Sequence, residues 1–371
     1  MLRFLTAGES HGPCLTTIIE GLPAGLRLEA EEIDRDLRRR QGGYGRGGRQ
    51  QIEQDRVRFL GGRVKGATVG APLSMMITNK DWENWRERDV SPWTRPRPGH
   101  ADLAGGQKYQ LDDLRLVAER ASARETAARV AVGAVAKILL HTVDIEVGSY
   151  VKAIGGVEAD LESIPMGERL SAALESDVSC PQEDAAQRMR EGIDAAREAG
   201  DSLGGVFTVV ARGLGVGLGS HVHWDRRLDA RLARAVMGIQ AVKGVEIGPA
   251  FANAALPGTQ VHDPIYPGES GPQRKTNRAG GLEGGMSNGQ PIVISAAMKP
   301  IPTTVSPIAT VDLATGEATT TEYQRSDVCA VPAAAVVGEA MVAWVLAQAL
   351  LERYGGDHME TIVRRVQDDR G

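Results

Sequence analysis

The chain has 371 residues, of which 42% are hydrophobic and 25% are charged, and its formal net charge is −5. This length allows one elaborate domain or two, and the mild acidity gives no overall indication of binding to nucleic acid or to an anionic membrane. The three cysteines, Cys14, Cys180 and Cys329, lie far apart and form no zinc-type spacing. This pattern predicts free thiols in a reducing compartment and no metal site.

Alternating and helical patterns of apolar residues predict a mixed α/β protein. Period-two alternation predicts strands at 14–21, 73–78, 145–153, 205–211 and 291–298. Helical periodicity predicts helices at 29–40, 123–141, 182–199, 226–243 and 333–354. No internal repeat or low-complexity linker divides the chain, so we expect a single domain over residues 1–371. The stretch from Ser122 to Glu125 fits a capping box at the start of the second helix.

Neither end of the chain is expected to enter a membrane. The first residues, MLRFLTAGESHG, lack the apolar run of a signal peptide. The stretch 331–351, VPAAAVVGEAMVAWVLAQALL, has the length of a membrane span. Glu339 in its middle and its many alanines favour a buried helix of a soluble protein. We therefore expect a cytoplasmic protein with no membrane partner.

Common nucleotide and metalloprotease motifs are missing. The sequence contains no GxxxxGK[ST] and no HExxH. The run at 213–219, GLGVGLG, is similar to a dinucleotide fingerprint, but Leu218 or Ser220 stands where the third glycine belongs.

Two glycine-rich segments in the N-terminal part carry groups that move protons or hold anions. GESHG at 8–12 places His11 between glycines, which an ordinary turn also explains. RRRQGGYGRGGRQ at 38–50 holds five arginines, and its glycines leave the backbone free to approach a ligand that arginine forks match. A solvated helix end is the alternative for its first arginines. The GRGG within it is also typical of RNA-binding tracts, but a single copy in an acidic globular chain makes that function unexpected.

Three further segments have the same character. RPRPGHAD at 95–102 is a proline-stiffened loop that could seat an acid–base histidine, His100, or be a plain surface loop. RASARE at 120–125 lies at the start of a predicted helix, where free N–H groups and two arginines could form a phosphate-binding site. The alternative is that Ser122 only caps the helix. A flat anionic cofactor could be surrounded by three further features: the loop at 280–289, the lysine of 299–303, and the pair Arg325 and Asp327. Taken separately, these segments could be hairpin turns.

Taken together, these segments resemble the signature blocks of the chorismate synthase family, in that family's order. The resemblance is carried by GESHG, RRRQGGYGRGGRQ, RPGHAD, RASARETAARV, GIQAVKG, GGLEGGMSNG and RSDVCAVPAA, from residue 8 to about residue 341. The chain departs from the family at Gln110, where glycine is common, and in the tryptophan-rich stretch 82–93. We expect neither departure to touch a motif that carries chemistry.

The resemblance implies a fold and a reaction. The family fold is a β-α-β sandwich with helices between antiparallel sheets, assembled as a homotetramer. The family reaction converts 5-enolpyruvylshikimate 3-phosphate into chorismate and phosphate by a 1,4-anti elimination, with reduced FMN as cofactor and no net redox change. Some members reduce the flavin themselves with NADPH and others depend on an external flavin reductase. The absence of a separate nucleotide motif favours the external supply.

The resemblance also assigns residues by matching motif. It implies that His11 protonates the departing phosphate, that His100 protonates the reduced flavin, and that Asp327 assists removal of the C6 hydrogen through flavin N5. The sequence leaves open which histidine serves which step. The implied substrate contacts are Arg40, Arg46, Arg124 and Arg325, with Arg49 and Arg97 as lesser candidates. The implied flavin contacts are Arg120, Ala121, Ser122, Gln240, Ala241, Gly284, Lys299, Pro300, Ile301, Pro302, Thr303 and Arg325.

Two other functions remain as alternatives at this point. A flavin-dependent oxidoreductase acting on a phosphorylated acid would consume reductant in proportion to product. A non-catalytic anion or RNA binder would share the arginine–glycine loop, but it would not require His11, His100 and Asp327 together.

Overall fold

Two antiparallel sheets enclose a layer of helices in the computed structural model of the protein, which describes residues 1–48, 53–88, 90–269 and 271–370. The strands are β1 Arg3–Ala7, β2 Cys14–Glu20, β3 Val57–Gly61, β4 Arg63–Val64, β5 Ala67–Thr68, β6 Leu73–Thr78, β7 Glu146–Ile154, β8 Val157–Glu158, β9 Gly205–Arg212, β10 Val216–Gly219, β11 Val242–Ile247, β12 Ile265–Tyr266, β13 Gln273–Arg274, β14 Leu282–Glu283, β15 Met286–Asn288, β16 Ile292–Met298, β17 Ala309–Val311 and β18 Ala318–Thr320. The helices are α1 Ala30–Gln41, α2 Trp82–Trp85, α3 Asp102–Tyr109, α4 Arg115–Ala121, α5 Thr126–His141, α6 Met166–Glu175, α7 Glu183–Glu198, α8 Leu228–Met237, α9 Ala250–Asn253, α10 Gly258–Val261, α11 Val331–Tyr354 and α12 Met359–Arg370.

The two main sheets lie on opposite sides of the central helices. The first has the order β1-β2-β6-β3, and the second has the order β11-β16-β9-β7-β8. Helices α1 and α5 pack on strands of the first sheet, and α11 packs on β7 and β9 of the second. Helix α11 also packs against α1 and α5, which closes the core between the sheets. This arrangement confirms the predicted β-α-β sandwich.

Most predicted elements are present, and one is wrong. The five predicted strands match β2, β6, β7, β9 and β16 to within a residue or two. The helix predicted over 226–243 is shorter, because α8 ends at Met237 and Ala241 adopts a left-handed backbone with φ of 65°. The next residues form β11, which pairs with β16. Pairing with a central strand has overridden the local helical pattern there.

The predicted capping box is also wrong. Ser122 Oγ accepts a hydrogen bond from the Arg124 N–H and so caps a short 3₁₀ turn, Ala123–Glu125, that leads into α5. The Ser122 N–H donates to the Ala118 carbonyl of α4, and the Glu125 carboxylate binds Thr6 and Arg129. Helix α4 therefore runs almost directly into α5, and Glu125 cannot reach back to Ser122.

Helix α11 is the buried helix that the sequence predicts for residues 331–351. It is long and apolar enough to cross a membrane, but 89% of its most apolar 18-residue window lies inside the fold. Alanines and glycines let it approach its neighbours closely. A Cβ atom added at Gly133 of α5 would lie 2.2 Å from the Cβ of Ala340, far inside van der Waals contact, so glycine is required at this crossing.

An ion network lies at the middle of α11. Glu339 is 1% exposed and accepts hydrogen bonds from Arg39 at 2.6 and 2.7 Å, from Lys137 at 2.8 Å and from Ser149 at 2.7 Å. Burial alone would raise the pKa of Glu339, but the cations of Lys137 and Arg39 hold it well below its usual value. Glu339 is thus a charged group at the centre of the helical layer, where it joins α1, α5 and β7.

Candidate active site

Arg40 joins the end of α1 to the start of α5. Its Nε donates to Thr126 Oγ1 at 2.8 Å and its Nη2 donates to the Ala123 carbonyl at 2.8 Å. The side chain is buried, with Asp55 at 3.6 Å. Arg40 is therefore anchored at the end of α1 by contacts with the start of α5.

Arg124 lies beside Arg40 and is held by two residues that the sequence did not single out. Its Nη1 contacts both carboxylate oxygens of Asp55 at 2.6 and 2.8 Å, and its Nε and Nη2 donate to Asn79 Oδ1 at 2.9 and 2.7 Å. The Asn79 amide in turn donates to the Gly12 carbonyl at 2.8 Å. Asn79 thus connects Arg124 to the loop that carries His11.

Arg46 is brought to the same place by a glycine turn. Gly45 has φ of +86°, and its carbonyl accepts the Val328 N–H at 2.9 Å, which aligns the two chain segments. Arg46 Nη1 donates to Asp327 Oδ2 at 2.6 Å, and the Gly47 N–H donates to Asp327 Oδ1 at 2.6 Å. A predicted substrate arginine and a predicted proton-transfer carboxylate therefore bind each other in this state.

Arg40, Arg46 and Arg124 form one group, which we call the arginine cluster. Burial lowers the pKa of Arg40 to about 9; Asp55 opposes this effect, and the nearby cations Arg124 and Arg46 add to it. The cluster therefore places three guanidinium groups together, with the carboxylates of Asp55 and Asp327 beside them.

His11 lies at the edge of this region and has two close partners. Its Nδ1 is 2.6 Å from Glu119 Oε1, and its backbone N–H donates to Glu119 Oε2 at 2.6 Å. The Trp85 ring of α2 lies against the imidazole, with a centroid separation of 4.5 Å. The His11 side chain keeps 28% of its surface exposed.

The tryptophan-rich stretch 82–93 does contact one of the signature segments, contrary to expectation. The Trp85 ring lies against His11 at a tilt of 41° and donates from Nε1 to Asp81 Oδ2 at 3.3 Å. Arg325 donates to the same carboxylate oxygen at 3.1 Å. Trp93 lies under the Arg97 guanidinium, 4.4 Å from it. The other departure, Gln110, ends α3 in a left-handed conformation, φ 55°, which glycine adopts more easily.

His100 belongs to a second group of polar side chains. His100 Nδ1 is 2.5 Å from Asp102 Oδ1, and Arg97 donates to both Asp102 oxygens at 2.8 and 3.0 Å. Burial alone would raise the pKa of Asp102, but the hydrogen bonds from His100 and Arg97 hold it well below its usual range. Arg97 is thus paired with a carboxylate and also donates to Thr303 Oγ1 at 3.2 Å.

Several of the residues implied to bind flavin gather around this second group. Lys299 Nζ donates to the Gly99 carbonyl, and the Lys299 N–H donates to the Ala241 carbonyl at 3.0 Å. Gln240 Nε2 donates to Glu125 Oε2 at 3.2 Å. The buried Oε1 of Gln240 has no hydrogen-bond partner among the described residues. An unpartnered buried acceptor of this kind suits the N–H group of a bound ligand.

Other predicted flavin residues have different surroundings. Arg120 of α4 donates to the carbonyls of Thr6 and Gly8 at 2.8 and 3.3 Å, and Ser122 Oγ donates to Ser10 Oγ at 3.2 Å. Gly284 lies exposed in the turn between β14 and β15, and no described hydrogen bond joins it to the rest of the group. Arg49 lies outside the described residues. Within the described part of the chain, no group of three or more His, Cys, Asp or Glu residues could hold a metal ion.

The structure thus brings together Arg40, Arg46, Arg124, His11 and Asp327 near one helix junction, with Arg325 at its rim. His100 and Arg97 form a neighbouring group with 240–241 and 299–303. Sequence reasoning missed the carboxylates and the amide that hold these side chains: Asp55, Asn79, Asp102 and Glu119. Asp102 stands inside a recognised block and Glu119 directly before another, so both could have been suspected. Nothing in the local sequence distinguishes Asp55 or Asn79.

Comparison with known proteins agrees with this geometry. The family model described as chorismate synthase matches residues 2–351. A chorismate synthase of Desulforamulus reducens is 54% identical over 99% of this chain and 97% of its own length, and one of Moorella thermoacetica is 56% identical over 99% and 97%. A crystal structure of chorismate synthase has a TM-score of 0.82 and 44% identity, covering 100% of this chain and 97% of that one. The chain belongs to the chorismate synthase family.

Proposed function

We propose that the protein eliminates phosphate from 5-enolpyruvylshikimate 3-phosphate to form chorismate, as a carbon–oxygen lyase that requires reduced FMN. The observation that carries this proposal is the meeting of Arg40, Arg46 and Arg124 beside His11, although the segments that supply them are far apart in sequence. The substrate carries two carboxylates and a phosphate, and buried arginines with fixed forks are the groups that bind such anions most specifically.

Substrate binding must rearrange the arginine cluster. Arg46 is paired with Asp327 at 2.6 Å, so an incoming anion has to replace a carboxylate that already occupies the guanidinium. The exchange would release the Asp327 carboxylate at the moment when a base is needed. Arg40 and Arg124 are fixed by Thr126, Asp55 and Asn79 and would hold the anion without moving.

His11 is the proposed donor of a proton to the departing phosphate, because its ring borders the cluster and remains partly exposed. His100 is the proposed partner of the flavin, because it shares its surroundings with Lys299, Thr303 and the 240–241 segment. The contact with Asp102 orients the His100 ring.

The residues proposed to hold FMN are Arg120, Ala121, Ser122, Gln240, Ala241, Gly284, Arg325 and the segment 299–303. The unpartnered Gln240 Oε1 and the cations Arg120, Arg325 and Lys299 fit a planar polar ring with a phosphate. When bound, reduced flavin supplies an electron-rich ring that assists departure of the phosphate and accepts the C6 hydrogen. The protein's own groups supply charge, orientation and protons around it.

The assembly and surroundings of the protein are proposed from the same family. We propose a homotetramer in the cytoplasm, supported by an apolar outer face on the first sheet, where Leu5 is paired with Ile18 and the two are 73% and 49% exposed. The three free thiols agree with a reducing compartment. One continuous hydrophobic core supports a single domain. Reduced flavin would come from an external reductase, with intrinsic NADPH use as the alternative.

A redox count tests the proposed function directly. Anaerobic incubation of the protein with 5-enolpyruvylshikimate 3-phosphate and photoreduced FMN should release many equivalents of phosphate and chorismate for each flavin reduced, because the elimination has no net redox change. Oxidised FMN alone should support no turnover. One reductant consumed per product would instead establish the flavin-dependent oxidoreductase.

The substitution Arg46→Lys tests the arginine cluster. It keeps the charge but loses the two-pronged geometry, and a hydrogen bond to a charged group contributes about 1.5–3 kcal/mol, so KM should rise roughly 10- to 150-fold. We expect a smaller change in kcat, since the proposed role is binding. The RNA-binding alternative predicts unchanged kinetics and weaker, salt-sensitive RNA retention in a filter-binding assay. Unchanged KM and kcat would remove this arginine from the site.

A further inference from the structure

The Glu119 carboxylate binds His11 at two points. One carboxylate oxygen, Oε1, lies 2.6 Å from the imidazole Nδ1, and the other, Oε2, accepts the backbone N–H of the same residue at 2.6 Å. A carboxylate that binds both the ring and the main chain of one residue restricts the side-chain rotation of that residue. Glu119 projects from α4, and its own backbone carbonyl accepts the Ser10 N–H at 3.0 Å, which fixes the loop further.

The chemistry of the two groups determines where the proton lies. An ionised carboxylate only accepts hydrogen bonds, so the imidazole nitrogen that faces Glu119 must carry a hydrogen. Nδ1 therefore keeps its proton in both the neutral and the charged ring, and Nε2 is the nitrogen that gains and loses one.

Charged groups of other elements also lie around the His11 ring. Trp85, whose ring centroid is 4.5 Å from that of the imidazole, donates from Nε1 to Asp81, and Arg325 donates to the same carboxylate. Arg88 lies over the Trp85 ring at 5.2 Å. Arg120, next to Glu119 in sequence, directs its guanidinium to the carbonyls of Thr6 and Gly8.

We infer that Glu119 is a positioning residue for the elimination: it fixes the His11 imidazole with its proton on Nδ1 and presents Nε2–H to the departing phosphate. This inference rests on the proposed function, in which His11 is the proton donor. In the step, the Nε2–H bond breaks and an O–H bond forms on the phosphate as its C3–O bond breaks. The ring becomes neutral with its proton still on Nδ1 and hydrogen-bonded to Glu119, and solvent then returns a proton to Nε2.

The inference can be tested without substrate or flavin. The protein is labelled with ¹⁵N-histidine, and the His11 signals are assigned by their absence in His11→Gln. In the wild type the neutral His11 ring should carry its hydrogen on Nδ1, whereas in Glu119→Ala, which removes the facing acceptor, the hydrogen should be found at least partly on Nε2. Asp112→Ala is the matched control, since it removes an exposed carboxylate from the segment just before α4 and should leave the hydrogen on Nδ1.

Kinetics complete the test. Glu119→Ala should lower kcat at least tenfold with KM nearly unchanged, because the proton donor is no longer oriented. Thermal unfolding measured on both variants identifies any general loss of structure. A hydrogen that stays on Nδ1 together with a wild-type kcat in Glu119→Ala would overturn the inference, even if loss of activity in His11→Gln still confirmed the proton donor. A wild-type protein that released no phosphate would overturn the proposed function itself, and the role of Glu119 with it.

Discussion

Replacing His11 or His100 by alanine is expected to lower kcat by about 10²–10⁴-fold each, the usual contribution of a positioned general acid or base. Each imidazole is held by a carboxylate, Glu119 in one case and Asp102 in the other, so each is oriented before a ligand binds. Truncation removes the proton-carrying group and leaves the arginine cluster intact. The measurement is release of phosphate under anaerobic conditions with photoreduced FMN.

The matched control for both variants is His221→Ala, because His221 is an exposed histidine with no place in the proposed site. It should retain wild-type kcat and KM. Near-normal turnover in both His11→Ala and His100→Ala would show that the proton-transfer roles are wrong even though the chain belongs to the family. A loss confined to one variant would identify the histidine that protonates the departing phosphate or the flavin.

The second large effect is expected on stability rather than activity. Glu339→Gln leaves Arg39 and Lys137 inside the fold with Asp36 as the remaining carboxylate of their network. Removal of one partner of a buried charge group destabilises a protein by about 3–5 kcal/mol. Urea unfolding at fixed protein concentration should show this loss in the free energy of unfolding.

The control for this variant is Glu20→Gln, which breaks the exposed pair between Arg3 and Glu20 and should cost about 0–1 kcal/mol. Acid adds a second criterion. The pKa of Glu339 is depressed in the folded protein, so its stabilising contribution is present above the ordinary value of 4.5 and is lost as the pH falls below it. The wild type should therefore lose more stability on acidification than Glu339→Gln does. Equal losses in Glu339→Gln and Glu20→Gln would contradict a structural role for the network.

Local sequence was sufficient for the central elements and for the identity of most site residues. Strands β2 and β6 alternate clearly, and α11 combines a proline at its start with a long apolar run, so each pattern is typical of only one kind of element. The order of strands was not predictable, because it depends on contacts between distant segments. The false helix at 238–243 has the same origin, since only the partner strand β16 reveals that these residues extend.

The site shows a similar division. Glycines and arginines in fixed blocks indicated Arg40, Arg46 and His11, but not what holds them. Glu119 lies 108 residues from His11, and Asp327 lies 281 residues from Arg46. A carboxylate that neutralises or orients a distant cation has no local signature, because any acidic residue of suitable reach would satisfy the same physical requirement. Such partners become visible only when the chain is folded.

The position of α11 at the centre of the sandwich has a consequence for synthesis of the protein in the cell. Helix α5 and the inner faces of both sheets pack against α11 or its neighbours, yet α11 begins only at Val331. About 190 residues separate the end of α5 from that point, which corresponds to roughly 10–40 s at ribosomal rates. During this interval the nascent chain cannot cover the apolar surfaces that α11 will occupy. Growing chains are therefore prone to aggregation until α11 emerges, and we expect them to bind ribosome-associated chaperones.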